Sequence, residues 1–194
     1  MIVIAALAYF NRSPNSANLT IPEINPNGSS NELSFSMQIS SPAFPNNGAI
    51  PSKYTCDALS PISPPLSIAD IPSSTASLAL IVDDPDVPRQ VLPAGVFDHW
   101  IAFNIPPTTT DIAEGTSPGV QGVNSANKPG YTPPCPPPQY QPAEHRYVFT
   151  LYALDTTLNP PPNATKQEVL AAMEGHVVGL AQLTGRYQRA SNAK

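Results

Sequence analysis

Twenty-six of the 194 residues are proline, and no other feature limits the fold of this chain as much. Proline fixes φ, lacks a backbone N–H and is excluded from helix interiors and central strands. The chain is therefore expected to build short strands joined by rigid loops, and an all-helical fold is ruled out. Apolar residues make up 41%, enough for one core and one domain. Charged residues reach only 12%, about half the usual share. A net charge of -5 with nine Lys and Arg leaves no basic stripe for a nucleic-acid backbone, so nucleic acid is excluded as a partner.

The chain divides by composition at about residue 32. Ile2 to Phe10 is an apolar run, too short for a membrane span of about 20 residues and without the positive flank of a signal peptide. From Asn11 to about Glu32 the chain is rich in Asn, Ser, Pro and Gly, a composition expected of a flexible linker. Asn11, Asn18, Asn27 and Asn163 each open an N-glycosylation acceptor pattern. Three of them behind an apolar N-terminus favour a secreted or membrane-tethered protein, with a cytoplasmic protein as the alternative.

A domain is expected over 33–190. Leu33, Phe35, Met37 and Ile39 alternate with Ser34, Ser36, Gln38 and Ser40, as in a strand with one buried face. Ser77 to Val82 is a continuous apolar run, as expected of a central strand buried on both sides. Phe97–Ile105 and Arg146–Leu154 supply further strands rich in aromatic and β-branched residues. Thr165 to Glu168 is a capping box, and Val169, Met173, Val177 and Leu180 form a stripe at helical spacing. The fold class is mainly β, a sandwich or open barrel with one late helix packed on it.

Chemistry is scarce, and three histidines hold most of it. Asp84 closes the apolar run and precedes Pro85, which restricts it to an extended conformation; Asp86 and Pro88 follow. Strand periodicity places His145 and Tyr147 on one face with Phe149 and Leu151, and His99 on a face with Ile101 and Phe103. His176 falls on the helical stripe and reads as structural. An acid at a strand end with two histidines on other strands suits gripping a small anion, with imidazoles, backbone N–H groups and the Tyr147 hydroxyl as donors. Asp84 would orient a histidine tautomer. No Gly-x-Ser-x-Gly elbow and no close histidine pair occur, so neither catalysis nor a resident cofactor is expected. A facial triad of Asp84, His99 and His145 around a metal is the weaker alternative. Cys56 and Cys135 lie 79 positions apart, too far for a metal knuckle. They either close one long loop as a disulfide or remain two buried thiols.

The motifs resemble one family. Ser41-Pro42-Ala43-Phe44, Tyr54-Thr55-Cys56-Asp57, Asp84-Pro85-Asp86-Val87-Pro88, His99 to Pro106, Pro134-Cys135-Pro136-Pro137, His145 to Asp155 and Gly185-Arg186-Tyr187 are similar to the prokaryotic branch of the phosphatidylethanolamine-binding proteins. The resemblance spans about Leu33 to Arg189. It implies a large central antiparallel sheet, a smaller packed sheet and an anion pocket lined by Asp84, His99 and His145, with Pro88 and Tyr147 beside them. It also implies a partner that is a phosphorylated small molecule or lipid head group, or else a serine protease or signalling protein. One departure stands out: the family's glycine-rich segment before the second histidine is here the proline-rich, glycine-free stretch 131–144. Thr132 to Pro138 is expected to stand as a stiff, exposed polyproline-like loop.

Overall fold

The computed structural model describes residues 37–189. The apolar run, the linker, the domain start at Leu33 and three of the four acceptor sequons lie outside the described residues. In chain order the elements are β1 (Gln38–Ser40), β2 (Gly48–Ala49), β3 (Leu66–Ala69), β4 (Ser77–Asp84), β5 (Phe97–Ile105), β6 (Asp111–Ile112), β7 (Val120–Gln121), β8 (Glu144–Leu154), α1 (Lys166–Met173) and β9 (Val177–Gln188). A large sheet runs β2-β9-β8-β4-β5-β7 and a small one β1-β3-β6. Neighbours are antiparallel throughout except β2, which runs parallel to β9. The fold is mainly β, with the large sheet, small sheet and late helix expected above.

The continuous apolar run of β4 has a simple cause. β4 lies between β8 and β5, and both faces of the large sheet are covered. Leu78, Leu80 and Val82 join Ile39, Leu66 and Ile68 in the core between the two sheets. On the other face, Ala79 packs with Ile101, Phe103 and Leu154 beneath Val169 and Met173 of α1. Each such Leu or Ile contributes roughly 1.5–3 kcal/mol by leaving water. At β1, Met37 and Ile39 are buried while Gln38 and Ser40 are exposed, which is the alternation read from the sequence.

The C-terminal quarter departs from the expected single long helix. α1 ends at Met173, and Gly175 takes φ 80, a conformation that stops a helix and favours glycine. From there β9 runs for 12 residues along the whole of β8. Val177 and Leu180 are therefore strand residues, and Leu180 is exposed. Gly179, Ala181, Leu183, Gly185 and Tyr187 make the buried face. A Cβ on Gly185 would stand 2.5 Å from Ile50 and 3.0 Å from Phe44, so β2 and its flanks close onto β9 only where the side chain is missing.

α1 has only eight residues and depends on its cap. Thr165 Oγ1 accepts from the Glu168 N–H, and Glu168 Oε2 accepts from the Thr165 N–H at 2.8 Å. Thr165→Ala should cost about 1 kcal/mol, a fall of roughly 2–4 °C in Tm. An unchanged Tm in a thermal melt would mean that packing of Val169 and Met173 holds the helix without its cap.

Candidate functional site

The site forms where β4, β5 and β8 end together. Asp84 is the last residue of β4 and lies opposite Phe97 of β5. One step inward the register shifts: Asp83 pairs with Asp98, yet Val82 pairs with Trp100. His99 is the extra residue of a β-bulge, a device that turns a side chain out of strict alternation. The bulge corrects the expected placement of His99. Ile101 and Phe103 face α1, whereas His99 lies with Asp84, His145 and Tyr147 around a cavity of about 240 Å³ on the opposite face. His145 and Tyr147 do share the face of Phe149 and Leu151, as alternation required.

The bulge leaves the His99 backbone without a ladder partner, and Thr132 supplies one. Thr132 N–H donates to the His99 carbonyl at 2.8 Å, and His99 Nδ1 donates to the Thr132 carbonyl at 2.7 Å. Buried Asn124 holds this loop by donating to Gly130 O at 2.8 Å and to Thr132 Oγ1 at 2.9 Å. Thr132 and Asn124 were not legible as site residues in the sequence, because their part depends on a bulge that no motif announces. Phe97 and Val91 add apolar wall, and Pro88 also lines the cavity.

Asp84 and His145 form a buried pair, with Nδ1 donating to Oδ2 at 2.6 Å and side chains only 4% and 1% exposed. Asp84 Oδ1 also accepts from the Asp86 N–H at 2.9 Å. Burial of the His145 ring works against its charge, but the hydrogen bond and charge of Asp84, helped by Asp86, hold its pKa above the ordinary 6.5. His99 goes the other way: burial depresses it, against the pull of the Thr132 carbonyl, Asp84 and Asp98. Burial likewise pushes the Tyr147 phenol up, so it stays a neutral hydroxyl. The Tyr147 hydroxyl, beside Asp84, and His145 Nε2, near the Pro142 carbonyl, are buried without a close hydrogen-bond partner.

The loop after β4 is locked from outside. Asp86 accepts from Arg146 Nε at 2.9 Å, from Arg146 Nη2 at 2.6 Å and from the Arg146 N–H at 2.9 Å. The second acid of Asp-Pro-Asp thus anchors the loop to β8, while the first enters the site.

The proline-rich wall is tied down as well. Cys56 and Cys135 form a disulfide with Cα atoms 5.3 Å apart, and the Cys56 N–H donates to Pro134 O at 3.0 Å. Pro134 and Pro136 are buried and Pro138 is exposed. The segment is irregular and free of helix, as its prolines require, and it is exposed in part, at Cys135 and Pro138. It is laid along the cavity because Thr132 and the disulfide hold it there.

Two further expectations change. His176 is not on the helix: it follows Gly175 on the surface and its Nδ1 meets Asp155 Oδ1 at 2.8 Å, so it closes the helix-to-strand turn. The metal triad does not assemble, since Asp84 is engaged with His145 and Asp86. Among the described residues no cluster of three or more His, Cys, Asp or Glu is arranged to hold a metal ion. On the reverse face of the same strand ends, Lys166 bridges Asp83 at 3.0 Å and Asp98 at 2.7 Å. That pairing keeps the neighbouring acids of Asp84 and His99 turned away from the cavity. Among the described residues no helix is long and apolar enough to cross a membrane.

Known proteins are similar to this chain in sequence and fold. The family model described as phosphatidylethanolamine-binding protein matches residues 40–188. A UPF0098 protein of Chlamydia muridarum is 49% identical over 154 residues, covering 79% of this chain and 99% of that protein. One from Methanothermobacter thermautotrophicus is also 49% identical, over 160 residues, covering 79% of this chain and 99% of that protein. Among solved structures, a phosphatidylethanolamine-binding protein homologue from Chlamydia trachomatis superposes with a TM-score of 0.76 at 46% identity, covering 81% of this chain and 100% of its own. YbcL of Escherichia coli, described as a member of the mammalian family, gives 0.68 at 25% identity, covering 79% and 99%. With the family model matched over most of the described domain, this chain belongs to the phosphatidylethanolamine-binding protein family.

Proposed function

We propose that this protein is a non-catalytic binder of small phosphate-like anions, of the kind carried by phosphorylated metabolites and lipid head groups. One observation carries the reading. Two residues lining a single cavity, His145 and Tyr147, each hold a buried polar atom without a close hydrogen-bond partner, with only the Pro142 carbonyl near the first and Asp84 near the second. A buried polar group without a partner costs roughly 1–3 kcal/mol, and an oxyanion accepting from the Tyr147 hydroxyl would recover that cost. The Asp84–His145 pair has the form of an oriented general base. Yet its Nε2 meets no hydroxyl or thiol among the described residues, which supports binding over catalysis.

Titration calorimetry with inorganic phosphate and phosphoethanolamine tests the proposal. Binding should strengthen as pH falls through the titration of His145, because the charged ring offsets Asp84. Tyr147→Phe should weaken it about 10- to 100-fold, the worth of one hydrogen bond to a charged group, with little change in Tm. No heat of binding in the native protein, or full affinity in Tyr147→Phe, would overturn the reading.

Docking to a serine protease has less support, because it relied on a free-standing proline loop and Pro134 and Pro136 are buried. A secreted or tethered setting remains the proposal for location, supported by the disulfide. Protein isolated from its native compartment should resist thiol alkylation until reduced, and freely alkylated thiols would reverse that assignment.

A further inference from the structure

The cavity offers acceptors where an anion would be expected to meet donors. Its lining contains no Lys or Arg. His99 spends its Nδ1 proton on the Thr132 carbonyl, so the neutral ring holds a lone pair at Nε2. The tautomer is fixed, because Thr132 is itself clamped by the His99 carbonyl and by Asn124. Asp84 is a second acceptor in the same lining, and one charged His145 only balances its charge. Against these stand two donors, the Tyr147 hydroxyl and, once the ring is charged, His145 Nε2–H.

We propose that the cavity selects anions that bring their own proton: singly charged phosphates or phosphonates with a P–OH group, in preference to their dianions and to sulfate esters. The P–OH donates to His99 Nε2 while a second oxygen accepts from Tyr147. The selectivity rests on the anion-binding reading above and names the chemical state of the ligand. An anion without that hydrogen sets its oxygen lone pair against His99 Nε2 and the Asp84 carboxylate. A site built for a hydrogen bond rejects an analogue that cannot make it. The charged and titratable groups around His99 are Asp84 from β4, Asp98 from its own strand, and His145 and Tyr147 from β8. Asp86 lies beyond, neutralised by Arg146. Burial keeps His99 neutral against the acids, so it remains an acceptor at neutral pH.

Methyl phosphate and methyl sulfate form a matched pair, alike in size and both singly charged at mildly acidic pH, differing in one hydrogen. Calorimetry on the full chain near pH 6 should give methyl phosphate binding at least roughly 100-fold tighter. Affinity should then fall as pH passes the ligand's own second pKa, about 6 for a phosphate monoester and higher for methylphosphonate. The two probes should therefore lose affinity at different pH. Equal binding of methyl phosphate and methyl sulfate overturns the proton requirement and leaves anion binding intact. Identical midpoints for methyl phosphate and methylphosphonate also overturn it, since the titration of His145 alone would then set the pH dependence. Binding of none of these probes overturns both this inference and the reading beneath it.

Discussion

Replacing Cys56 and Cys135 together by serine should lower the stability of the domain by about 4–5 kcal/mol, the chain-entropy value for a cross-link across such a span. The bond joins positions 79 apart, so breaking it frees a long stretch of the unfolded chain. For a domain of this size the expected fall in Tm is roughly 10–20 °C. A second effect is local. Cys135 belongs to the cavity lining, and once it is released the wall is held by Thr132, by the backbone N–H of residue 56 donating to Pro134 O and by the Tyr131 hydroxyl donating to Tyr54 O at 2.9 Å. Phosphate affinity should therefore weaken in the double variant even well below its Tm. A thermal shift of less than about 2 °C would show that the folded packing, not the cross-link, governs stability. Unchanged phosphate affinity would show that the wall keeps its place without the bond.

His145→Ala should destabilise the domain by roughly 3–5 kcal/mol, because it strands a carboxylate inside the protein. Asp84 is 3% exposed, and its remaining partner at Oδ1 is a neutral backbone N–H. A loss this large means that the variant cannot serve as a clean binding probe, whereas Tyr147→Phe can. The pH dependence carries a sign. The folded pKa of His145 is raised above 6.5, so its contribution is complete below that value and is lost as pH rises through the folded pKa. His99, with its pKa depressed, contributes in the opposite sense and loses its share as pH falls. Urea unfolding across pH should therefore show a decline above about pH 6.5 in the native protein that is missing from His145→Ala. A loss under 1 kcal/mol in the variant, or the same pH slope in both proteins, would refute the account.

Much of the site could be read directly from the chain. Asp84 was marked by the end of an apolar run and by Pro85. His145 and Tyr147 were marked by strict alternation along β8. These are local rules, and the local structure there is regular. His99 was recognised as a site residue but assigned to the wrong face. Alternation counts residues, and the bulge inserts one that the count does not know about. β9 was misread for a related reason. Val169, Met173, Val177 and Leu180 fit a helical period, while the true signal from Gly179 to Tyr187 was diluted by two glycines that carry no hydrophobic side chain. The glycines are there because Ile50 and Pro72 pack against the strand, a contact invisible in sequence.

The boundary between what sequence and tertiary structure decide follows the range of the forces. Proline content, apolar runs and alternation act over a few residues, and by themselves they determined a β-rich domain with a buried central strand and acids and histidines at strand ends. The resemblance of its motifs extended this to the two-sheet plan. Only the tertiary structure decided that His99 turns toward Asp84, that Thr132 fixes its tautomer, and that the two cysteines are bonded. These join residues 15 to 79 positions apart, Asp84 and His99 being the nearest in sequence. Such contacts form only when the sheets stack and bring distant strand ends together, and no pattern within one strand encodes them.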